Sequence, residues 1–319
     1  MKRPRGIALI TALLVVAIAT LAATALLSSA SLSIHRTTAL RDSEQAWWVA
    51  RGVESWVLGI LDKDKKNAPG VDGLGEDWAQ PVDYLPVDQG YVRGHVVDLQ
   101  GRFNLNNLVL AKAQTPAATA YRQQFERLIA ALPTNLQAPP GLAGAIIDWA
   151  DADQNQTFPG GAEDSVYLTL NPPYRTANRA FTVVSELLAV QGVTPGIYAA
   201  LALVDGGMIA ALPAAAPTRV NVNTAPEAVL RALSATPPDD SKFRSFLERR
   251  AEQPVENPAA IYDETGLSVD TKDYVDVRSE YFQIQGEVFV GSSRVALYSL
   301  IRRPEAGTPT VLAHSADAE

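Results

Sequence analysis

The sequence has 319 residues, 47% of them hydrophobic and 19% charged, with a formal net charge of −8 and no cysteine. That length and apolar content allow two modest folded units and exclude a disordered polymer. The acidic balance argues against a general nucleic-acid binder, and the lack of thiols excludes disulfides and thiolate zinc sites.

The chain opens on Lys2, Arg3 and Arg5, then Gly6, and no ionisable side chain follows as far as Ile34. Ile7 to Leu27 supplies the ~20 apolar residues that a helix needs to cross a bilayer. An ordinary export signal has a shorter apolar region ending at small residues, so cleavage between Ala23 and Ser31 is the alternative reading. The leading cations hold the N-terminus on the cytoplasmic side and send the rest outward. Trp47, Ala50, Val53, Val57 and Leu61 then recur at helical spacing, with Arg41, Asp42, Glu44, Arg51 and Glu54 between them. One helix is expected from Ile7 to about Leu61, its outer half amphipathic and in need of a sheet or partner. Trp47 and Trp48 read as packing residues. Lys63, Lys65 and Lys66 suit the helix end, and Pro69-Gly70 stops it.

VDGLGEDWAQPVDYLPVDQG reads as loop, and YVRGHVVDLQGRFNL as strand, turn and strand start. YFQIQGEVFV and RVALYSLIRR form a hairpin around Gly291. Between these β regions lies an Ala-, Leu- and Pro-rich stretch with helical patterns in YRQQFERLIAAL, LAGAIIDWADAD, FTVVSELLAV, GIYAALALV, PEAVLRALSA and KFRSFLERRAEQ. The fold expected is α+β: a long N-terminal helix packed on an antiparallel sheet, with a large all-helical insertion. The expected divisions are a leader 1–6, the helix 7–62, an α+β domain of 63–104 and 275–304, the insertion 105–274, and a flexible tail 305–319.

The most chemically loaded stretch is IIDWADADQNQTFPGGAEDSVYL. Asp151, Asp153 and Asn155 open like an EF-hand loop, but Gln156 stands where the turn glycine belongs and Ala162 at the twelfth position. Glu163 and Asp164 arrive late, after Pro159-Gly160-Gly161. Clustered carboxylates on a glycine-bearing loop suit calcium, and magnesium less, because its octahedron is stricter. A solvated acidic loop is the other reading. Farther on, Thr224, Pro226 and Glu227 suggest a helix cap, echoed upstream by Asn104, Asn106 and Asn107. NVNTA is similar to helix-hairpin-helix modules, but on an acidic chain the motif reads as structural. His35, His95 and His314 are scattered, and no G-x-S-x-G, HExxH or Walker loop is present.

RGIALITALLVVAIAT resembles the leader of type IV pilins and of the pseudopilins of type II secretion. The resemblance implies cleavage after Gly6 by a prepilin peptidase, methylation of Ile7, and a helix that is first a membrane anchor and later a filament core. Most pilins carry glutamate at the fifth mature position; this chain has Thr11. That absence, and a pilin-like fold with a large helical insertion, resemble the K-type minor pseudopilins over nearly the whole chain. The resemblance implies a non-enzymatic role at the pseudopilus tip, with I-type and J-type minor pseudopilins, other pseudopilins and the inner-membrane assembly platform as partners. It places the bulk of the chain in the periplasm. It also implies structural calcium at Asp151, Asp153, Glu163 and Asp164, with Asp148 and Asn155 as further candidates. A minor pilin of a type IV or DNA-uptake filament and a tethered periplasmic hydrolase are the rival readings.

Overall fold

The apolar run and the amphipathic stretch after it form one helix, α1 (Arg5–Asn67), in the computed structural model, which describes residues 5–67, 70–111, 114–268 and 273–315. At 1.5 Å per residue this helix is about 95 Å long. It runs past the end expected near Leu61 because its last turns are held both by a pair within the helix and by groups outside it. Lys66 bonds Asp62 one turn back at 2.5 Å, Arg303 reaches Asp64 at 2.7 Å, and Lys65 Nζ donates to the Pro304 carbonyl at 2.6 Å. The Pro69 stop and the orienting cations Lys2 and Arg3 lie outside the described residues.

The outer half of α1 buries Ala46, Ala50, Val57 and Leu61 against a sheet built from β1 (Val82–Val87), β2 (Gly90–Asp98), β7 (Tyr281–Val290), β8 (Ser293–Arg302) and β9 (Thr310–Ser315). The strands lie in that order and every pairing is antiparallel. Trp78, Val92, Phe282, Ile284, Val288, Leu297 and Ile301 complete this core. Alternation on β2, β7 and β8 sends one set of side chains to the helix and the other to solvent. Two buried carboxylates tie helix to sheet: Asp42 Oδ2 accepts from the Ser292 backbone and hydroxyl, and Glu54 Oε1 accepts from Ser299 Oγ at 2.6 Å.

Two strands correct the sequence reading. VDYLPV is β1 rather than loop. It sits at the sheet edge, where Pro86 removes no hydrogen bond that the ladder needs. Residues 310–315 are β9 rather than loose tail; Tyr298 pairs with Ser315 and Arg302 with Thr310. FTVVSELLAV also differs: residues Val184–Ala189 form a tight 3-10 helix.

A second core is assembled from β3 (Phe103–Asn104), α2 (Asn107–Leu110), α3 (Pro116–Ala130), α4 (Leu142–Ala150), α5 (Asp164–Tyr167), α6 (Pro195–Ala202), β4 (Ile209–Ala210), β5 (Val220–Asn221), α7 (Glu227–Leu233), α8 (Asp240–Arg249), α9 (Ala260–Thr265) and β6 (Val275–Asp276). It is mostly helical, with two short parallel pairings, β3 with β4 and β5 with β6. Each pairing carries the same device. The Asn106 side chain bonds both backbone groups of Phe181, at 2.8 and 3.0 Å. The Asn223 side chain bonds both backbone groups of Val255, at 2.8 and 3.0 Å. Asn106, singled out in the sequence, and Asn223 therefore act as buried backbone substitutes.

The expected capping box is absent. Helix α7 starts at Glu227 with Pro226 as its cap residue, and Thr224 Oγ1 donates instead to Asp98 Oδ2 at 2.6 Å. Asp98 also accepts from Asn221 Nδ2 at 2.9 Å and Ser279 Oγ at 2.6 Å. This fully buried carboxylate joins the end of β2 to the second core, and burial raises its pKa.

Candidate metal centre

Helix α4 delivers its last turn to the surface of the second core. Ile146 and Trp149 face inward, and Trp149 packs edge-on against Tyr167 at 5.4 Å. The chain then turns out through Asp151 and returns at Glu163. Asp148 closes this loop rather than facing into it: both of its carboxylate oxygens accept from the Thr157 backbone, at 3.0 and 3.1 Å. A side chain at Gly161 would collide with Asp148 and Thr157, so the return path requires glycine there.

The loop brings three of the six candidate ligands together. Asp151, Asp153 and Glu163 each offer a carboxylate oxygen, and the three oxygens lie within 4.8 Å of one another. Asn155 is turned toward Asp153, its backbone and side-chain nitrogens both donating to Asp153 Oδ1 at 2.8 Å. Asp164 faces the next turn, where its Oδ1 accepts from Thr176 N at 3.0 Å and Thr176 Oγ1 at 2.9 Å. Asp148, Asn155 and Asp164 thus shape the loop, and Asp151, Asp153 and Glu163 form its acidic pocket.

The electrostatics of the pocket are those of a site short of positive charge. Glu163 is only 2% exposed, and neither of its carboxylate oxygens has a hydrogen-bond partner, nor has Asp151 Oδ1. Burial, then the charges of Asp148, Asp151, Asp153 and Asp164, push Glu163 up to about 7. Burial, then Asp153 and Asp148, push Asp151 up to about 6. Buried carboxylates without donors are costly unless a cation meets them. The donor set is all oxygen, on a loop of mixed exposure, and it fits a hard divalent cation of the calcium type.

A second acidic group escaped the sequence reading. Asp64, Asp72 and Glu76 approach one another across the end of α1 and the loop after it. Here the chain supplies its own cation, because Arg303 bonds both Asp64 and Asp72. Glu76 Oε2 accepts from Trp78 Nε1 at 2.6 Å, and burial raises its pKa to about 7. No local spacing announces this group, since Arg303 is more than two hundred residues away from the acids.

At the other end of the molecule, Gly6, Ile7 and Thr11 lie within α1, and Thr11 is exposed. The window of α1 with mean hydropathy 2.5 has none of its residues buried, so that length of helix is apolar enough to cross a membrane and is covered by none of the described residues.

Two sequence models, both described as type II secretion system (T2SS), protein K, match residues 101–213 and 220–284. The protein K of Pseudomonas aeruginosa is 35% identical, over 97% of this chain and 91% of that one. The protein K of Aeromonas hydrophila is 33% identical, over 95% of this chain and 94% of that one. The chain belongs to the type II secretion system protein K family. A solved structure agrees: the GspK-GspI-GspJ complex from the type 2 secretion system of enterotoxigenic Escherichia coli. One of its chains is matched with a TM-score of 0.68 at 26% identity, over 89% of this chain and all of that one. The family supports the pilin-like α+β fold and the role of a minor pseudopilin. Its two matched segments each contain one of the asparagine devices, Asn106 with Phe181 and Asn223 with Val255.

Proposed function

We propose that this minor pseudopilin acts without catalysis, as the subunit that starts or caps the pseudopilus at its tip. A prepilin peptidase cuts after Gly6, Ile7 becomes the methylated N-terminus, and the segment to about Leu27 holds the chain in the inner membrane with its bulk in the periplasm. Its assembly partners are I-type and J-type minor pseudopilins, as in the solved complex of its relative, followed by other pseudopilins drawn up by the inner-membrane platform. The observation that carries this reading is α1 itself: a helix of about 95 Å whose apolar first half none of the described residues covers and whose second half bears the sheet. Thr11 favours the tip, because a subunit without a carboxylate there has no group to offer the N-terminal ammonium of a subunit ahead.

The acidic pocket serves as a structural calcium site, with Asp151, Asp153 and Glu163 as its ligands. The ion would offset three clustered carboxylates and fasten the loop between α4 and α5. Asp148 and Asp164 support the site by holding the loop's two ends.

The test is co-expression of the full chain with its I-type and J-type partners and the prepilin peptidase. The recovered chain should begin at methylated Ile7 and carry both partners. A soluble product beginning beyond Ala23, recovered alone, would defeat the reading.

A further inference from the structure

Where the two cores meet, beside the last turn of α1, they leave a cleft of about 590 Å³. The end of β8 and the stretch after β6 line one side, and residues 214–219 of the second core line the other. Its charges fall into pairs of unequal quality. Arg303 is bonded to Asp72, and Arg302 holds Glu280 through two nitrogens, each at 3.2 Å. Arg219 and Arg278 are less well supplied. Arg219 NH1 stands 3.9 Å from Asp276 Oδ2, and Arg278 Nε stands 4.0 Å from Asp276 Oδ1, so neither contact is a hydrogen bond. Asp276 Oδ1 is already taken by Val277 N at 2.8 Å. The other acid in reach of Arg278 is Glu305, which is 83% exposed and lies 3.5 Å away. Two half-exposed guanidinium forks therefore line the cleft with donors unfilled. Lys65 adds a further cation, held by the carbonyls of Pro304 and Gly307 rather than by an acid. The facing wall is different in kind. Ala215 and Ala216 are exposed, carry no long side chain, and pair their backbone groups with no other backbone among the described residues.

We propose that this cleft binds an extended acidic peptide segment of a partner protein, with one carboxylate between Arg219 and Arg278 and its backbone along Ala215 and Ala216. The site lies apart from the acidic pocket and does not depend on where the subunit stands in a filament. Charge complementarity selects the occupant. A carboxylate fits the planar forks of two arginines, and the lining of the cleft carries one cation more than acids, in a chain whose net charge is −8. A single carboxylate matches that excess. A doubly charged phosphate would be repelled by Asp276, Glu280 and Glu305 around the same rim. A lipid headgroup is excluded by distance, since Lys65 stands about 57 Å beyond Leu27 along the helix axis. The volume is that of a ligand pocket at a junction between two cores, and it exceeds what one small anion needs. An open backbone on one wall and guanidinium forks on the other are what an extended peptide with acidic side chains can satisfy together.

The experiment immobilises the detergent-solubilised full chain and offers it two pools of end-blocked heptapeptides with random uncharged flanks, one with Asp at the centre and one with Asn. The parent should retain the Asp pool about tenfold over the Asn pool, the worth of one charge-assisted pair. R219Q/R278Q should lose that preference and melt with the parent, because neither guanidinium is hydrogen-bonded to Asp276. Should it melt lower, R219K/R278K takes its place; it keeps both charges without the forks and should lose most of the preference. R36Q/R244Q removes the same charge from exposed residues outside the cleft lining and should keep the preference. Equal retention of the two pools by the parent overturns the proposal. So does an equal loss in R36Q/R244Q, which would show attraction to net charge alone. Displacement of the Asp pool by acetate or inorganic phosphate at the peptide's own concentration would assign the cleft to a small anion and overturn the peptide as its ligand.

Discussion

The Asp42 carboxylate of α1 grips Ser292 in the β7–β8 turn, accepting from its backbone N at 3.0 Å and its hydroxyl at 3.0 Å. Gly291, beside it, has φ +53, and a side chain there would collide with that same carboxylate. The hairpin tip and the helix are thus fitted to each other at one point. D42A leaves a half-buried N–H without its charged acceptor and should lose about 1.5–3 kcal/mol. S292A, which keeps the backbone bond, should lose less. Thermal unfolding of the detergent-solubilised full chain ranks the two, and equal melting of D42A and parent would mean the clamp carries no stability.

The acidic pocket fixes the sign of a pH effect. Glu163 has a folded-state pKa of about 7 against the ordinary 4.5. Below 4.5 both folded and unfolded states hold the proton, and the group is neutral toward stability. Between 4.5 and 7 the unfolded chain releases it first, so calcium-free protein should lose stability as pH rises, by up to about 3 kcal/mol from this group. Calcium should remove that loss, because the ion favours the ionised form. E163Q should flatten the slope in chelator and abolish the calcium-dependent rise in thermal midpoint. Calorimetry at pH 7.5 should show uptake by the parent and none by E163Q. A midpoint indifferent to chelator would count against the site.

The long helix and the final hairpin were legible in the sequence because periodicity is a local signal. Ala50, Val57 and Leu61 repeat at helical spacing, and YFQIQGEVFV alternates. Strands β1 and β9 were not, because each owes its existence to a neighbour distant in sequence. Pro81, Pro86 and two aspartates make the first look like loop, and only β2 gives it a ladder. The second is residues 310–315, whose ladder comes from β8 and whose His314 meets Trp47 and Arg51 of α1, both far away in sequence. The acidic loop was legible as a cluster of charges. Which acids share a pocket was not, because that depends on where Thr157 and Thr176 present their N–H groups.

Arg303 is 7% exposed and bonds Asp64, Asp72 and the Ser279 carbonyl, the last at 3.1 Å. It joins the end of α1, the loop that follows, and the end of β8. R303M keeps the volume but leaves two acids facing Glu76 without the guanidinium that bonds them both, and burial already raises the pKa of both. Breaking a buried ion pair from one side is expected to lose roughly 3–5 kcal/mol. The loss should be larger at pH 8 than at pH 5, where the stranded carboxylates can take up protons. Denaturant unfolding at the two pH values measures the difference, and a loss independent of pH would assign it to packing rather than to charge.

Asn223 and Asn106 do for Val255 and Phe181 what a paired strand would do, donating to the carbonyl and accepting from the N–H. Asn223 is fully buried, so N223A strands both groups where water does not reach them, and the expected loss is roughly 2–5 kcal/mol. Asn106 Nδ2 also donates to the Leu212 carbonyl at 3.0 Å, so N106A strands one group more and should lose more. Substitution by aspartate separates shape from hydrogen bonding. N223D fills the same space and still accepts from Val255 N, yet it cannot donate to Val255 O in its charged form and buries a charge. It should therefore be no more stable than N223A at pH 7 and should recover part of the loss at pH 4, once protonation restores a donor. Urea midpoints for the three variants at both pH values decide the matter. N223D as stable as the parent at pH 7 would show that filling the site, rather than bonding the Val255 backbone, is what the asparagine contributes.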